Sequence, residues 1–346
     1  MQVKAFLIGF SVGTFGLGFF YWAQSRLDGA SSDCEESSSL IGAVDGNLDP
    51  LPSARQIALQ NVPADPFAVY DPELPPLRVG VCAIIRDAEA YIDEWVDYNF
   101  AIGFHAMYIY DNSPNNDLKS WGQKVREEGK NVVVVPHGMA PANDTQDLAY
   151  NGCVERFGNE SDYIAFVDDD EYLLLKKHAD VSAFLREHLA QEGGCLTVNW
   201  ARFGTSNHSL YAPIPVTRRY MLREWKTHYR VKCIITVKDF DKMRSPHAVW
   251  MKPGVPYRDT SGGGTYDHED DWNMDRTDDV AVLNHYKWKS EKEWWYKECV
   301  RKTVLGDEKS CGEDSREGTI FDDAAWKVLR SRVPKYRAYD EWADHA

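Results

Sequence analysis

The stretch Tyr163-Ile164-Ala165-Phe166-Val167-Asp168-Asp169-Asp170-Glu171-Tyr172-Leu173 constrains this chain more than any other. Its apolar half is long enough for one buried strand and runs straight into consecutive acids. A buried strand does not tolerate unpaired carboxylates, so the acids belong at its C-terminal mouth. In open α/β sheets that mouth is where ligands bind. Asp168 and Asp170, at alternating positions, are placed to aim at one hard cation. The cation would hold a diphosphate that a chain of formal charge −15 otherwise repels. The competing reading is an acidic turn capping a following helix, with Glu171 as a helix-start acid. The cation reading requires both carboxylates to face a cleft, free of internal lysines and arginines.

The flanking sequence predicts the sheet. Arg78 to Ile85, Ala106 to Tyr110 and Asn131 to Pro136 are short apolar runs, hence strands. Between them Tyr91, Trp95 and Tyr98 repeat at helical spacing, and Leu118 to Glu128 and Thr145 to Arg156 also read as helices. Asp111-Asn112-Ser113-Pro114 is a turn. Strands alternating with helices predict an α/β fold with a doubly wound, mostly parallel sheet. No GxGxxG or Walker loop is present, which disfavours a dinucleotide dehydrogenase or a P-loop kinase. The second half is less regular. Val181 to Gln191 and Ser290 to Val304 read as helices, and Cys195 to Trp200, Val231 to Val237 and Val280 to Asn284 as strands. Ser261 to Trp272 is a glycine-rich acidic loop.

The amino terminus speaks to compartment. Ala5 to Ala23 carries no charge and approaches the roughly 20 residues that span a bilayer as a helix. We read residues 1–26 as an uncleaved signal anchor, with a cleaved signal peptide as the rival. Residues 27–77, rich in Ser, Asp, Gly and Pro, read as a stem or linker. Residues 78–335 form the folded domain and 336–346 a tail. Three N-glycosylation sequons, at Asn143, Asn159 and Asn207, agree with a lumenal domain. No Lys/Arg block exists, so nucleic acid is not an expected partner. The seven cysteines form no CxxC or zinc pattern; Cys299 and Cys311 are close enough to bridge a local loop.

Several motifs then line up in order: Cys82-Ala-Ile-Ile-Arg86-Asp87 with Glu94-Trp95-Val96-Asp97-Tyr98, Tyr108-Ile-Tyr-Asp111-Asn112, Tyr150-Asn151, Phe166-Val-Asp168-Asp-Asp170-Glu-Tyr-Leu, Asn199-Trp-Ala-Arg-Phe-Gly, Val231-Lys-Cys-Ile, Pro246-His247, and Asn284-His285-Tyr-Lys287-Trp-Lys289-Ser. Together they resemble the glycosyltransferase family 2-like and family 92 group, membrane-anchored enzymes with a GT-A fold. The similarity runs from about Arg78 to Lys302. The resemblance implies a GT-A-like domain with an irregular acceptor-side second half. It implies transfer of a hexose, galactose being our guess, from a nucleotide sugar, UDP-linked by expectation, to a glycan or glycoconjugate hydroxyl with inversion. It further implies a type II membrane protein of the Golgi or ER.

Residue by residue, the resemblance makes Asp168 and Asp170 the DxD that holds Mn²⁺ or Mg²⁺ on the diphosphate. Arg86, Asp87, Asp111 and Asn151 would line the nucleoside pocket; for Asp111 the turn itself is an equal reading, and for Asn151 a helix-surface role. His285 would complete the metal site, with His247 as competitor and a buried, hydrogen-bonded imidazole as the plain alternative. Lys287 or Lys289 would neutralise the leaving diphosphate, or merely start a solvated helix. The catalytic base would come from the glycine loop, from Asp267, Glu269, Asp270 or Asp271. Trp200, Phe203 and Trp225 are candidates to stack an acceptor sugar. Asn207 is expected to be unused or turned outward. Two rival classes remain: a metal-dependent hydrolase, which lacks a second HD, DxH or HxxE ligand set here, and a tethered, inactive carbohydrate-binding module.

Overall fold

A computed structural model describes residues 74–86, 90–114, 116–138, 145–261, 271–301 and 318–341. The expected anchor, nearly all of the expected linker, and Asp87, Asp267, Glu269, Asp270, Cys311 and Asn143 lie outside these residues. Among the described residues no helix is long and apolar enough to cross a membrane.

The first half alternates as its periodicity predicts: β1 (Val79–Ile85), α1 (Ile92–Ala101), β2 (Ala106–Asp111), α2 (Leu118–Glu127), β3 (Val132–Pro136), α3 (Thr145–Phe157) and β4 (Tyr163–Phe166). The strands pair in the order β3-β2-β1-β4, all parallel. The order reverses at β1, and open α/β sheets place their ligand crevice at such a switch point, here the C-terminal ends of β1 and β4. Side chains alternate across β1. Val79, Val81, Ala83 and Ile85 join a cluster with Trp95 of α1 and Leu118 of α2, while Cys82 faces Tyr150, Cys153 and Phe157 of α3. A disulfide between Cys82 and Cys153 staples β1 to α3 across 71 residues. Gly103, at φ 99°, takes the chain out of α1 through a conformation that favours glycine.

The second half contains β5 (Glu171–Leu175), α4 (Val181–His188), β6 (Cys195–Arg202), α5 (Val216–Arg219), β7 (Leu222–Arg223), β8 (His228–Thr236), β9 (Phe240–Ser245), β10 (Ala248–Met251), β11 (Tyr257–Arg258), β12 (Ala281–His285), α6 (Glu291–Trp295), β13 (Ile320–Phe321) and α7 (Ala324–Arg332). The sheet continues from β4 as β8-β6-β12-β5. Here the expected parallel pattern gives way. β8 is antiparallel to β4 and β6, and β5 is antiparallel to β12, while β6 and β12 are parallel. An apolar run marks a strand but not its direction, which depends on how the chain returns.

Two local expectations are corrected. No helix follows the acids: Glu171 opens strand β5, fully buried, and its Oε2 accepts from the Asp168 amide at 2.8 Å. The helix expected from Ser290 begins as α6, with Ser290 and Glu293 forming a capping box. It then widens into a π-helical turn over Tyr296–Arg301. The acids of the Glu94-Trp95-Val96-Asp97 motif are structural. Glu94 accepts from the amides of Val216 and Thr217 and from the Thr217 hydroxyl, closing the start of α5. Asp97 binds Lys130, Lys335 and the Tyr336 hydroxyl, tying α1 to the chain's last described turn.

Candidate active site at the mouth of the central sheet

β4 ends at Phe166 beside Cys82 of β1, so Asp168 to Asp170 emerge at the crevice. β12 delivers His285 opposite Glu171, and the π-helical turn delivers Lys297. Asp170 is nearly buried, at 4% side-chain exposure. Its Oδ2 lies 2.7 Å from Lys297 Nζ, and its Oδ1 lies 3.4 Å from His285 Nε2. Burial pushes the Asp170 carboxyl upward, but Lys297 and His285 outweigh it and hold the carboxyl well below its ordinary range. Burial lowers His285, with the Asp170 carboxylate opposing.

Asp168 is built differently. Its Oδ1 accepts from Gln146 Nε2 at 2.7 Å and from the Tyr150 hydroxyl at 3.1 Å, both on α3. Its Oδ2 lies 3.0 Å from Nζ of Lys232, which sits 3.8 Å from Glu171 Oε2. Lys232 is 2% exposed and Glu171 0%. Burial opposes ionisation of Asp168, yet Lys232 holds its carboxyl below the usual range. Glu171 is driven well above its ordinary value by burial, only partly offset by Lys232. Burial also raises Asp169, with Lys289 opposing.

The condition that both aspartates be free of internal lysines is therefore not met: Lys232 neutralises Asp168 and Lys297 neutralises Asp170. The residues still offer a partial fit for a cation. The 3.4 Å gap between Asp170 Oδ1 and His285 Nε2 is too long for a strong hydrogen bond. It also exceeds, by a few tenths of an ångström, the roughly 3.0 Å edge between neighbouring ligands of an octahedral cation bound at roughly 2.1 Å. Among the described residues, Asp168, Asp170 and His285 do not close into a three-ligand cluster. The pair that can hold a metal is Asp170 with His285, and Asp168 stands aside with Lys232.

The other expected residues divide. Asp111 is fully buried and accepts from the amides of Ser113 and Leu118 at 2.9 and 3.0 Å, the turn role. Asn151 spans α3 and β9, donating to the Asp147 carbonyl and accepting from the Met243 amide, and so does not face the crevice. Arg86 follows β1 directly, and its carbonyl accepts from Arg301 at 3.3 Å. Lys289 lies over the Tyr91 ring at 4.5 Å and Lys287 over Trp288 at 5.6 Å. Asp271 pairs with Arg230 and accepts from the Ser245 hydroxyl. His247, whose Nδ1 meets the Val231 carbonyl, packs edge-on against Trp200. Trp200 also packs against His285, with ring centroids 4.3 Å apart. Phe203 is fully buried against Tyr286, a core role rather than sugar stacking. Trp225 is 67% exposed, and Asn207 is exposed as expected.

Sequence reasoning missed Lys232, Lys297, Gln146 and Tyr150 as partners of the acids. Lys232 had a signal: a lysine in the otherwise apolar run Val231 to Val237 demands a buried counter-charge. Lys297 had none, because a π-helical turn leaves no periodic mark. A cavity of about 500 Å³ lies at the other end of β4, lined by Gly158, Asn159 and Tyr163 among others, and contains none of these acids.

The model of glycosyltransferase family 92 matches residues 76–310, most of the chain. This chain belongs to glycosyltransferase family 92. Among relatives, a family 92 protein of rice (Oryza sativa subsp. japonica) is 24% identical over 211 residues, covering 60% of this chain and 33% of the relative. One from Arabidopsis thaliana is 24% identical over 221 residues, covering 60% of this chain and 35% of the relative. One from Ricinus communis is 22% identical over 229 residues, covering 64% and 38%. The family 92 chain thus spans about a third of the length of the curated relatives it matches. Solved structures with a likeness include S. aureus TarS 1-349 in complex with UDP, at a TM-score of 0.30 and 14% identity over 46% of this chain and 47% of that one. GalNAc-T7 with UDP, GalNAc and Mn2+ gives 0.38 and 10% over 64% and 45%. Both likenesses are too remote to place any side chain of the family 92 mouth.

Proposed function

We propose that this family 92 chain moves a hexose, galactose being the first candidate, from a UDP-sugar to a hydroxyl of a glycan or glycoconjugate, with inversion. The observation that carries the reading is the facing of Asp170 Oδ1 and His285 Nε2, where the acids that follow β4 meet the end of β12. Mn²⁺ or Mg²⁺ held by that pair would stabilise charge on the departing diphosphate as a Lewis acid. In the transfer, the acceptor oxygen bonds to the anomeric carbon as that carbon's bond to the diphosphate oxygen breaks, and the acceptor proton passes to a base. Asp267, Glu269 and Asp270 remain the proposed base candidates. Asp271, tied to Arg230 and Ser245, is the poorer one. Lys289 and Lys297 put positive charge beside the acids, where an anionic leaving group would sit. Residence in the Golgi or ER as a type II membrane protein belongs to the same proposal. The Cys82–Cys153 disulfide supports it, because such bonds persist in oxidising compartments.

A second reading has its own observation. Lys232 and Lys297 already neutralise the two outer aspartates, so they could replace a cation in holding the diphosphate. The test is a screen of UDP-, GDP- and CMP-sugars with released nucleotide as readout, joined to UDP calorimetry with Mn²⁺ and with EDTA. Nucleotide release from a UDP-sugar, with UDP binding lost in EDTA and in Asp170→Asn, supports the metal-assisted transferase. Tight UDP binding indifferent to both treatments transfers the role to the lysines. Release from none of the donors rejects the transferase reading.

A further inference from the structure

The connection from β5 into α4 carries a second constellation, away from the acids of the mouth. His178 precedes α4, while Glu187 and His188 are its last two residues. The His178 side chain is 1% exposed and that of His188 6%; Glu187 is 54% exposed. His178 Nε2 lies 2.8 Å from Glu187 Oε2, and His188 Nε2 lies 3.7 Å from Glu187 Oε1. One ligand atom from each residue lies within 4.8 Å of the other two. Phe184 packs against both rings, with centroids 5.5 Å from His178 and 5.2 Å from His188, which limits their rotation.

Three further facts point to an ion. His188 Nε2 is enclosed yet has no hydrogen-bond partner, an arrangement that costs about 1–3 kcal/mol. Two imidazoles and one carboxylate are a recurrent zinc donor set, and the edges of a tetrahedron at zinc–ligand distances of 2.0–2.1 Å are roughly 3.3 Å. The His178 and His188 separations from Glu187, 2.8 Å to Oε2 and 3.7 Å to Oε1, fall on either side of that length. The ligands also sit at the C-terminal end of α4, where unpaired carbonyls favour a cation.

We propose that His178, Glu187 and His188 bind one zinc ion, with water as fourth ligand entering from the exposed side of Glu187. The ion pins the end of α4 to the β5–α4 connection and takes no part at the sheet mouth. The test uses the full chain carrying Asp168→Asn and Asp170→Asn, so that the mouth is silent. The protein is stripped with EDTA and titrated with Zn²⁺, and with Co²⁺ as a spectroscopic probe. One equivalent of Zn²⁺, visible Co²⁺ d–d bands of tetrahedral intensity, and a rise in Tm on zinc addition are expected. Adding His188→Ala or Glu187→Gln should weaken binding by more than the roughly tenfold to hundredfold that loss of an outer-shell partner costs. Should His178→Ala fail to fold by circular dichroism, the milder His188→Gln carries the comparison. Absence of stoichiometric Zn²⁺ binding by the parent overturns the proposal, as does equal affinity in the His188 and Glu187 variants.

Discussion

Replacing Lys232 with methionine tests how the mouth is held together. Lys232 Nζ lies 3.0 Å from Asp168 and 3.8 Å from Glu171. With an effective dielectric near 20, those contacts are worth roughly 5 and 4 kcal/mol gross. Most of that offsets the desolvation of three charged groups, and breaking such a buried set by removing one partner leaves a net loss of about 3–5 kcal/mol. Asp168 keeps 29% side-chain exposure and can rehydrate, whereas Glu171, already driven upward by burial, has no exposure and loses the cation that partly offset it. We therefore expect Lys232→Met to lose about 3 kcal/mol at pH 7.5, the low end of that range. Its carboxyls would have folded values raised above their unfolded ones. Such groups lose stability as pH rises from the unfolded toward the folded value, so the deficit should shrink to about 1 kcal/mol near pH 5.5. Adding Glu171→Gln should recover at least half of the loss, because the amide oxygen still accepts from the Asp168 amide. Urea unfolding at both pH values, with unchanged m, measures this. A variant within about 0.5 kcal/mol of the parent at pH 7.5, the ordinary range of a neutral surface change, would refute the view that Lys232 neutralises these acids.

The remaining expectations concern the site, the staple and acid stability. Asp170→Asn should lower nucleotide release from a UDP-sugar by at least about 100-fold, the scale of losing one preorganised electrostatic partner, while far-UV circular dichroism stays unchanged. Activity retained in the Asp168→Asn, Asp170→Asn double variant would remove the acids from the mechanism. Changing Cys82 and Cys153 to serine opens a loop spanning 71 residues and should cost about 4 kcal/mol in urea unfolding; a shift below about 1 kcal/mol would contradict that loop-entropy estimate. Burial first, and then Lys232, holds the His247 imidazole down to about 4. A base lowered on folding contributes stability that is complete above its unfolded pKa and lost as pH falls. His247 should therefore withdraw up to about 3 kcal/mol between pH 6.5 and 4, and His247→Gln should flatten the unfolding free energy across that window.

How far the site could be read in the sequence differs by residue. The first half-sheet was legible because each strand is a separate apolar run and each helix keeps its own period. The same pattern places Asp168 and Asp170 just past the end of β4. The run Asp111-Asn112-Ser113-Pro114 made the turn legible too, and the Asp111 carboxylate serves it. His285 was expected at the mouth and reaches it through β12. The nucleoside role expected of Asn151 was not matched, because a helix residue's partner depends on what packs across it, here β9. The fate of Glu171 was also misjudged: consecutive acids resemble a helix start whether a helix or a strand follows.

Local order, the apolar strands and the family motifs were written in the chain itself, because they depend on neighbours in sequence. The counter-charges were not. Lys232 comes 61 or more residues after the acids and Lys297 lies 127 from Asp170, and both reach them only when β8 and the π-helical turn close on β4. An ionised side chain has no fixed partner until folding removes the water around it. For that reason only the tertiary structure decided which oxygens of the acidic run are already neutralised and which one faces His285.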